Sequence, residues 1–308
     1  MKNKLFITGG LFLLAGWFAN KTNAKQPASV KNAVTIITGG AKGIGKATAH
    51  TFARRSAIII IADLEHQLTD ALRHEFANYN TPVHFIPCDI TLSEHRDRLI
   101  HEVTRHYEHI DILINNAGIS IGGAFENLSS HAIDKIINVN LTATIHLTQN
   151  ILHIMKQQNH GHIVNVSSVN ALMPPPGEAI YSASKSGLNA FTDSLRRELG
   201  KTNIHISLVM PALTRTDMLN NLSEAELREN QLLMSGVSLD SAERVAKAIL
   251  TAVQTNQREV ICGGTQTSTL ARLAQLRPSA MDWFFRNAIN TERFMQTLTR
   301  LGESEPSE

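Results

Sequence analysis

Short apolar runs alternate with segments of helical periodicity along most of the chain. Several runs, such as Ala57–Ala62, are apolar without alternation, which is typical of strands buried on both faces of a parallel sheet. Repeated strand–helix units predict an α/β fold with a doubly wound parallel sheet and right-handed crossovers. We predict strands at residues 33–37, 57–62, 83–87, 110–115, 162–166, 204–209 and 260–262, and helices at 46–55, 66–79, 93–107, 132–157, from 181 onward and at 240–253.

The same pattern divides the chain into four parts. Residues 1–24 form a hydrophobic segment, 25–32 a linker, 33–264 a single folded domain and 265–308 a C-terminal helical extension. The extension mixes apolar residues with arginines, which suits either an interfacial helix pair or packing against the domain or a second subunit. Its last residues, 302–308, are predicted to be a disordered acidic end.

The first 24 residues differ in kind from the rest. Lys2 and Lys4 precede an uncharged run at 5–20, which is shorter than most membrane-spanning helices and suits a signal peptide. Against this, flanking lysines can extend to the membrane surface and Trp17 is typical of membrane interfaces, which is compatible with a thin anchor. We predict a membrane-associated protein with a single-pass N-terminal anchor and its domain on a cofactor-accessible side. Cleavage after Ala24 followed by export is the alternative.

Composition narrows the class of protein. Hydrophobic residues make up 43% of the chain and charged residues 18%, which is typical of a folded globular protein. A net charge of +2 without a basic run gives no reason to expect a nucleic-acid partner. The 14 histidines are scattered without an H-E-x-x-H pattern, so we predict no metal site.

A glycine-rich loop follows the first predicted strand and opens the first helix. Its glycines, Gly39, Gly43 and Gly45, allow backbone amides and the helix N-terminus to approach a pyrophosphate. Asp63 ends the next strand, where a carboxylate accepts hydrogen bonds from ribose hydroxyls and repels a 2′-phosphate. Lys42 favours that phosphate instead. We give the carboxylate more weight, because it would face that phosphate at close range, and predict NAD as the cofactor, with NADP possible.

The centre of the chain carries a second candidate site. Tyr181 and Lys185 are four residues apart, so a helix that begins near Tyr181 places phenol and ammonium on one face. A phenol has an ordinary pKa of about 10, and a neighbouring cation favours the phenolate. Ser168 lies thirteen residues before Tyr181, at the end of an apolar run, and supplies a hydroxyl.

Five motifs in this order resemble the short-chain dehydrogenase/reductase family. They are T-G-x-x-x-G-I-G at 38–45, N-N-A-G at 115–118, V-N-L at 139–141, Y-S-A-S-K at 181–185, and a serine thirteen residues before that tyrosine. The resemblance covers about residues 33–264 and implies a Rossmann-type fold, a nicotinamide cofactor and a homo-oligomer, either dimer or tetramer. It also implies a catalytic tetrad of Asn140, Ser168, Tyr181 and Lys185.

The resemblance also assigns roles in cofactor binding. It implies that Asp89 contacts the adenine ring, Asn116 lines the cofactor cleft, Lys185 holds the nicotinamide ribose and Thr216 the carboxamide. Ala212 departs from the family pattern, in which a glycine usually follows Pro211. Alanine lacks the conformational freedom of a glycine backbone. The implied cofactor-binding residues are Thr38, Gly39, Lys42, Gly43, Ile44, Gly45, Asp63, Asp89, Asn116, Ala117, Gly118, Tyr181, Lys185, Pro211 and Thr216.

These residues predict an NAD(P)-dependent oxidoreductase that interconverts a secondary alcohol and a ketone. Tyr181 exchanges a proton with the reacting oxygen, Ser168 stabilises charge there, and Asn140 is implied to hold a water that links Lys185 to solvent. Apolar residues between 213 and 234 predict an apolar, lipid-like or steroid-like substrate. The alternative is a catalytically silent NAD(P)-binding regulatory or scaffold protein on the same fold.

Overall fold

Seven parallel strands form the central sheet of the part of the chain that the structure describes. The computed structural model describes residues 28–64, 70–215 and 240–288, together with 291–292, 295–296 and 298–299. The sheet has the order β3-β2-β1-β4-β5-β6-β9, and a separate two-stranded ladder joins β7 to β8. The strands are β1 (Val34–Thr38), β2 (Ile58–Asp63), β3 (Val83–Pro87), β4 (Ile112–Asn115), β5 (Gly161–Val166), β6 (Ile204–Met210), β7 (Thr214–Arg215), β8 (Asp240–Ser241) and β9 (Glu259–Ile261).

The strand order confirms the predicted doubly wound sheet. The chain builds outward from β1 through β2 to β3, then returns to the other side of β1 with β4. The carboxyl ends of β1 and β4 are therefore a topological switch point, where open α/β sheets bind ligands. Thr38 ends β1 and Asn115 ends β4, so the glycine loop and the N-N-A-G motif meet there.

Nine α-helices lie within residues 28–64, 70–215 and 240–288. They are α1 (Gly43–Ala53), α2 (Asp70–Ala77), α3 (Ser93–Tyr107), α4 (Ser130–Ile137), α5 (Thr144–Gln158), α6 (Ala179–Glu198), α7 (Ala242–Thr255), α8 (Gly264–Leu276) and α9 (Pro278–Ala288). Both faces of the sheet are covered: Phe52 of α1 and Ile249 of α7 lie in one apolar cluster, Leu99 of α3 and Leu147 of α5 in the other. This two-sided burial explains the unbroken apolar runs of the strands.

The predicted single helix over 132–157 is wrong in one respect. A π-helix, Asn138–Ala143, separates α4 from α5. Single π turns inside helices are frequent at functional sites, and this one contains Asn140. Hydrophobic periodicity does not reveal it, because the wider turn disturbs only a few residues.

The β7–β8 ladder pairs Thr214 with Asp240 and Arg215 with Ser241. It joins the residues directly before and after 216–239, and the amide of Asp240 donates to the carbonyl of Leu213 over 2.8 Å. The predicted Thr216 site and most of the apolar segment 213–234 lie outside the described residues.

The C-terminal extension is helical, as predicted, and part of it packs on the domain. Ala274 of α8 shares an apolar cluster with Val169 and Met173, which follow Ser168. No helix of the described residues is both long and apolar enough to span a membrane. The N-terminal run at 5–20 lies outside those residues.

Candidate active site

The glycine loop, residues 38–45, turns sharply between β1 and α1. Gly39 has φ +61° and Gly43 φ +50°, in the left-handed region that glycine adopts without strain. Gly45 approaches the loop's own backbone, since a Cβ there would lie 1.9 Å from the carbonyl oxygen of Gly39. Only glycine fits at position 45.

Side chains from the sheet fasten this loop. The hydroxyl of Thr38 accepts hydrogen bonds from the amides of Asn116 at 3.0 Å and Ala117 at 3.1 Å. The side-chain amide of Asn116 donates to the carbonyls of Thr38 at 3.1 Å and Gly39 at 2.9 Å. Asn116, implied to line the cofactor cleft, therefore braces the loop from the end of β4.

The loop and helix fit the pyrophosphate of a dinucleotide. Lys42 is the N-cap residue of α1, and its side chain forms no capping hydrogen bond. The first turn of α1 contains no acidic residue, so its amides and partial positive charge favour an anion. Ile44 packs against the core behind the loop.

Asp63 is placed at the end of β2, beside the loop. One of its carboxylate oxygens, Oδ2, accepts the amide of Ala41 over 2.9 Å. The residue thus helps to hold the loop, which the sequence did not predict.

Two other predicted cofactor residues lie at strand ends. Oδ1 of Asp89, just beyond β3, accepts from the amide of Thr91 at 2.8 Å and from its hydroxyl at 2.6 Å. Pro211 follows β6, and its carbonyl accepts the amide of Val169 over 2.9 Å. Each is at the carboxyl edge of the sheet, on the same side as the glycine loop.

Ala212, which stands where the family usually has glycine, has a backbone conformation that does not require glycine. It is buried and has no positive φ. Gly263 gives it room, because a Cβ at position 263 would lie 2.9 Å from the Cβ of Ala212. The methyl group is thus accommodated by a glycine at the end of β9.

Helix α6 brings Tyr181 and Lys185 together on one face. The ammonium of Lys185 lies 5.8 Å from the centroid of the Tyr181 ring and donates to the carbonyl of Val166 over 3.1 Å. The Ser168 hydroxyl is hydrogen-bonded to the Tyr181 side chain. Ser168 also accepts the amide of Asn170 over 3.1 Å, which fixes its rotamer beyond the end of β5.

Asn140 lies behind this group in the π-helix and is fully buried, whereas Asn138 is exposed. Its side-chain amide donates to the carbonyl of Ile119 at 2.8 Å and to the Ser184 hydroxyl at 3.1 Å, and its oxygen accepts the amide of Ile119 at 2.8 Å. A Cβ on Gly118 would lie 3.2 Å from both Asn140 Oδ1 and Lys185 Nζ. The structure therefore places all four tetrad residues at one site.

Burial changes the titration of this pair. It raises the pKa of Tyr181 to about 12, against the lowering effect of the Ser168 hydrogen bond, and the charge of Glu178 raises it further. Burial also lowers the pKa of Lys185 to about 8. The sequence predicts a lowered Tyr181 pKa, and the protein groups give the opposite direction because desolvation of the phenolate outweighs the favourable contacts.

Sequence reasoning missed Glu178. This carboxyl group is buried at the start of α6, three residues before Tyr181, and accepts the Ser120 hydroxyl over 2.8 Å. Burial raises the pKa of Glu178 to about 7. The available signal was its i, i+3 spacing from Tyr181, which places both on one helical face.

A buried polar chain that the sequence analysis also missed holds α6 to the sheet. The Asn115 side chain donates to Asn165 Oδ1 at 2.8 Å and to the Thr148 hydroxyl at 2.9 Å. Asn165 donates in turn to the hydroxyl of Thr192 on α6 at 2.8 Å. Asn115 and Asn165 are register partners in β4 and β5, so two asparagines near the ends of apolar strands were the signal.

Comparison with known proteins agrees with this geometry. The sequence profile of the family described as short chain dehydrogenase matches residues 33–227, more than half of the chain. A 3-oxoacyl-(acyl-carrier-protein) reductase of Aquifex aeolicus is 34% identical over 218 residues, 70% of this chain and 88% of the relative. A 3α-hydroxysteroid dehydrogenase of Mediterraneibacter gnavus is 34% identical over 201 residues, 65% and 80% of the two chains.

A further relative, the dehydrogenase/reductase SDR family protein 7-like of Drosophila melanogaster, is 30% identical over 268 residues, 84% of this chain and 81% of the relative. The chain belongs to the short-chain dehydrogenase family. It is an oxidoreductase, an NAD(P)-dependent dehydrogenase or reductase.

Proposed function

We propose that this enzyme interconverts a secondary alcohol and a ketone on an apolar substrate, with NAD as the cofactor. The observation that carries the proposal is the convergence of Ser168 and Lys185 on the Tyr181 side chain. This group stands at the same edge of the sheet as the glycine loop. A binding protein without turnover has no need of that arrangement.

The chain offers a contact for each part of the dinucleotide. The glycine loop and the amides of α1 hold the pyrophosphate, and Asp63 accepts from the adenosine ribose. Lys185 holds the nicotinamide ribose, and Asp89, Pro211 and Thr216 retain the family's roles in binding. When bound, the nicotinamide ring accepts or supplies the hydride.

Tyr181 moves the proton at the reacting oxygen. With its pKa raised to about 12, the phenol is protonated at neutral pH and suited to donate to a ketone oxygen. In the reverse direction it must lose that proton, which the Lys185 ammonium and the Ser168 hydrogen bond favour. Ser168 stabilises the charge that develops on the substrate oxygen. Asn140, through Ile119, fixes the backbone beside Lys185, and we retain its water-holding role as a prediction.

The apolar substrate class rests on two supporting observations. Val169 and Met173, just after Ser168, form an apolar cluster with Leu213 and Ala274. Two of the relatives carry names that specify acyl or steroid substrates. A screen of fatty, steroid and small polyol alcohols with NAD and NADP in parallel tests the substrate and the cofactor together.

The experiment that tests the mechanism is Tyr181→Phe. We expect kcat to fall by about 10³-fold, because general acid–base catalysis contributes on that scale, while NADH binding stays within a few-fold of wild type. Tyr107→Phe removes the same hydroxyl from α3, where it bonds His84, and is the matched control. Turnover that survives Tyr181→Phe contradicts the mechanism and favours the silent, regulatory alternative.

We also propose that residues 1–24 anchor the protein to a membrane and that the domain forms a homo-oligomer. The uncharged run at 5–20 supports the first and the family the second. N-terminal sequencing of the mature protein decides between anchor and signal peptide, since a start at Lys25 contradicts the anchor. Light scattering of the purified protein measures the oligomeric state.

A further inference from the structure

Three glycines near Tyr181 form a backbone surface without side chains of its own, here called the glycine shelf: Gly122, Gly123 and Gly177. Gly122 and Gly123 lie in the loop after β4, and Gly177 precedes α6. The two segments are joined by a hydrogen bond from the amide of Gly123 to the carbonyl of Gly177, 2.9 Å long. The shelf is thus one continuous surface built from two loops.

The glycine shelf adjoins the catalytic helix. Gly177 directly precedes Glu178, the N-cap residue of α6, and Tyr181 follows within the first turn. The Ser120–Glu178 hydrogen bond ties the β4 loop to this helix end. A group seated on the shelf is therefore within about one helical turn of the residue that exchanges the proton.

The C-terminal extension seats on this shelf. A Cβ on Gly122 would lie 2.7 Å from Leu298 Cβ, and one on Gly177 would lie 2.9 Å from Leu298 Cδ1. A Cβ on Gly123 would lie 2.8 Å from Thr299 Oγ1. All three glycines lack room for a side chain because the same short stretch of the extension occupies it.

Leu298 and Glu178 are neighbours across Gly122. The Cβ that Gly122 lacks would contact Leu298 Cβ and also lie 3.3 Å from Glu178 Oε1. Met295 is close as well, 3.2 Å from the missing Cβ of Gly177. The extension therefore presents half-buried apolar side chains beside the start of the catalytic helix.

We propose that the extension around Leu298 closes one side of the substrate cleft and limits the length of the substrate's apolar part. This inference rests on the proposed function. It assigns substrate selection to a segment beyond residues 33–227, the part of the chain that the family profile matches. Differences of one or a few methylene groups in such a wall change relative turnover by about 10–200-fold.

Docking of the extension is tested first, without turnover. In Gly122→Ala the added methyl meets Leu298 Cβ, and no positive φ adds strain at this position. We expect hydrogen exchange to speed up by at least about tenfold in peptides covering 119–127 and 291–299, because protection falls when contacts are lost. Gly200→Ala, at the end of α6, is the control. Unchanged exchange in Gly122→Ala overturns the docking.

Selectivity is tested on the full-length chain with Leu298→Ala and Leu298→Trp, on a homologous series of secondary alcohols. We expect the ratio of kcat/KM for long over short substrates to rise by about tenfold in the alanine variant and to fall in the tryptophan variant. Leu276→Ala, mostly exposed on α8, is the matched control.

The outcomes separate this inference from the proposed function. The selectivity role alone is overturned if the kcat/KM ratio of long over short substrates is the same in wild type and both Leu298 variants. In that case wild type turns over the substrates and Tyr181→Phe does not. Absence of wild-type turnover across the series overturns the proposed function. The exchange experiment still reports whether the extension seats on the shelf.

Discussion

The glycine loop and the glycine shelf are both built from glycines, but these glycines face different partners. In the loop, Gly45 closes on the carbonyl of Gly39, a few residues away, and Thr38 and Asp63 fasten the turn. In the shelf, Gly122 and Gly177 face Leu298, far along the chain. The loop's shape is set locally by the sheet, whereas the shelf is completed by a remote segment. We propose that the loop holds the cofactor and that the shelf, through the extension, affects the choice of substrate.

The largest effect is expected from Gly45→Ala, which changes the glycine loop. Its Cβ would lie 1.9 Å from the Gly39 carbonyl, so the loop has to change shape. We expect the Kd for NADH to rise about 10³-fold, or about 4 kcal/mol, measured by fluorescence titration. Gly200→Ala serves as the control. A Kd within threefold of wild type would contradict the requirement for glycine at position 45.

The next effect concerns the buried polar chain that holds α6 to the sheet. Asn165→Leu leaves the Asn115 amide and the Thr192 hydroxyl without this partner in a buried site. We expect a loss of about 3–4 kcal/mol in the free energy of unfolding, measured in urea, since each unsatisfied buried group costs about 1–3 kcal/mol. Asn150→Leu, partly exposed on α5, is expected to cost far less. Equal losses in the two variants would contradict the structural role.

The next prediction concerns Glu178→Gln, at the end of α6 that adjoins the glycine shelf. The folded state raises the pKa of Glu178 from 4.5 to about 7, so it holds the proton more tightly than the unfolded chain. The contribution of Glu178 to the free energy of unfolding therefore falls as the pH rises from about 4.5 to 7. The glutamine variant does not titrate and does not show that fall.

We expect Glu178→Gln to gain up to about 3 kcal/mol relative to wild type between pH 5 and pH 8, measured by denaturant unfolding at both pH values. It also removes the charge that raises the Tyr181 pKa. The basic limb of the pH–rate profile should shift to lower pH. Glu126→Gln, exposed in the same region, should change neither curve. A relative stability independent of pH would contradict the assignment.

The smallest effect is expected from Asp63→Asn. Asparagine keeps an oxygen to accept the Ala41 amide, so the loop stays fastened while the charge that repels a 2′-phosphate is lost. We expect the ratio of kcat/KM for NADP over NAD to rise about tenfold, or about 1.4 kcal/mol. Lys42→Ala should move the ratio the other way. An unchanged ratio in both variants would assign nucleotide choice to other residues.

The sequence predicts the features that depend on local spacing. Strand β3 has its predicted bounds, and the four-residue spacing of Tyr181 and Lys185 does bring them together on α6. The raised Tyr181 pKa escaped prediction because it depends on desolvation by the whole surrounding fold. The π-helix escaped because it disturbs the hydrophobic periodicity of only a few residues, and the bonds of its Asn140 go to Ile119, in a distant loop.

The remaining omissions involve partners far apart in the sequence. Glu178 is hydrogen-bonded to Ser120 in a different loop, and its spacing from Tyr181 gives no indication of that partner. The contact between Leu298 and the glycine shelf has no periodic signature either. Long-range contacts of this kind become visible only when the sheet has brought its strand ends to one edge.

The short β7–β8 ladder has a consequence for protein engineering. It pairs the residues that flank segment 216–239. Asp240 is buried and hydrogen-bonded to Leu213 and Arg244. Closing a longer loop between fixed ends costs only about 0.6 kcal/mol for each doubling of its length. We therefore expect that a change in the length of segment 216–239 leaves the sheet, Ser168, Tyr181 and Lys185 in place.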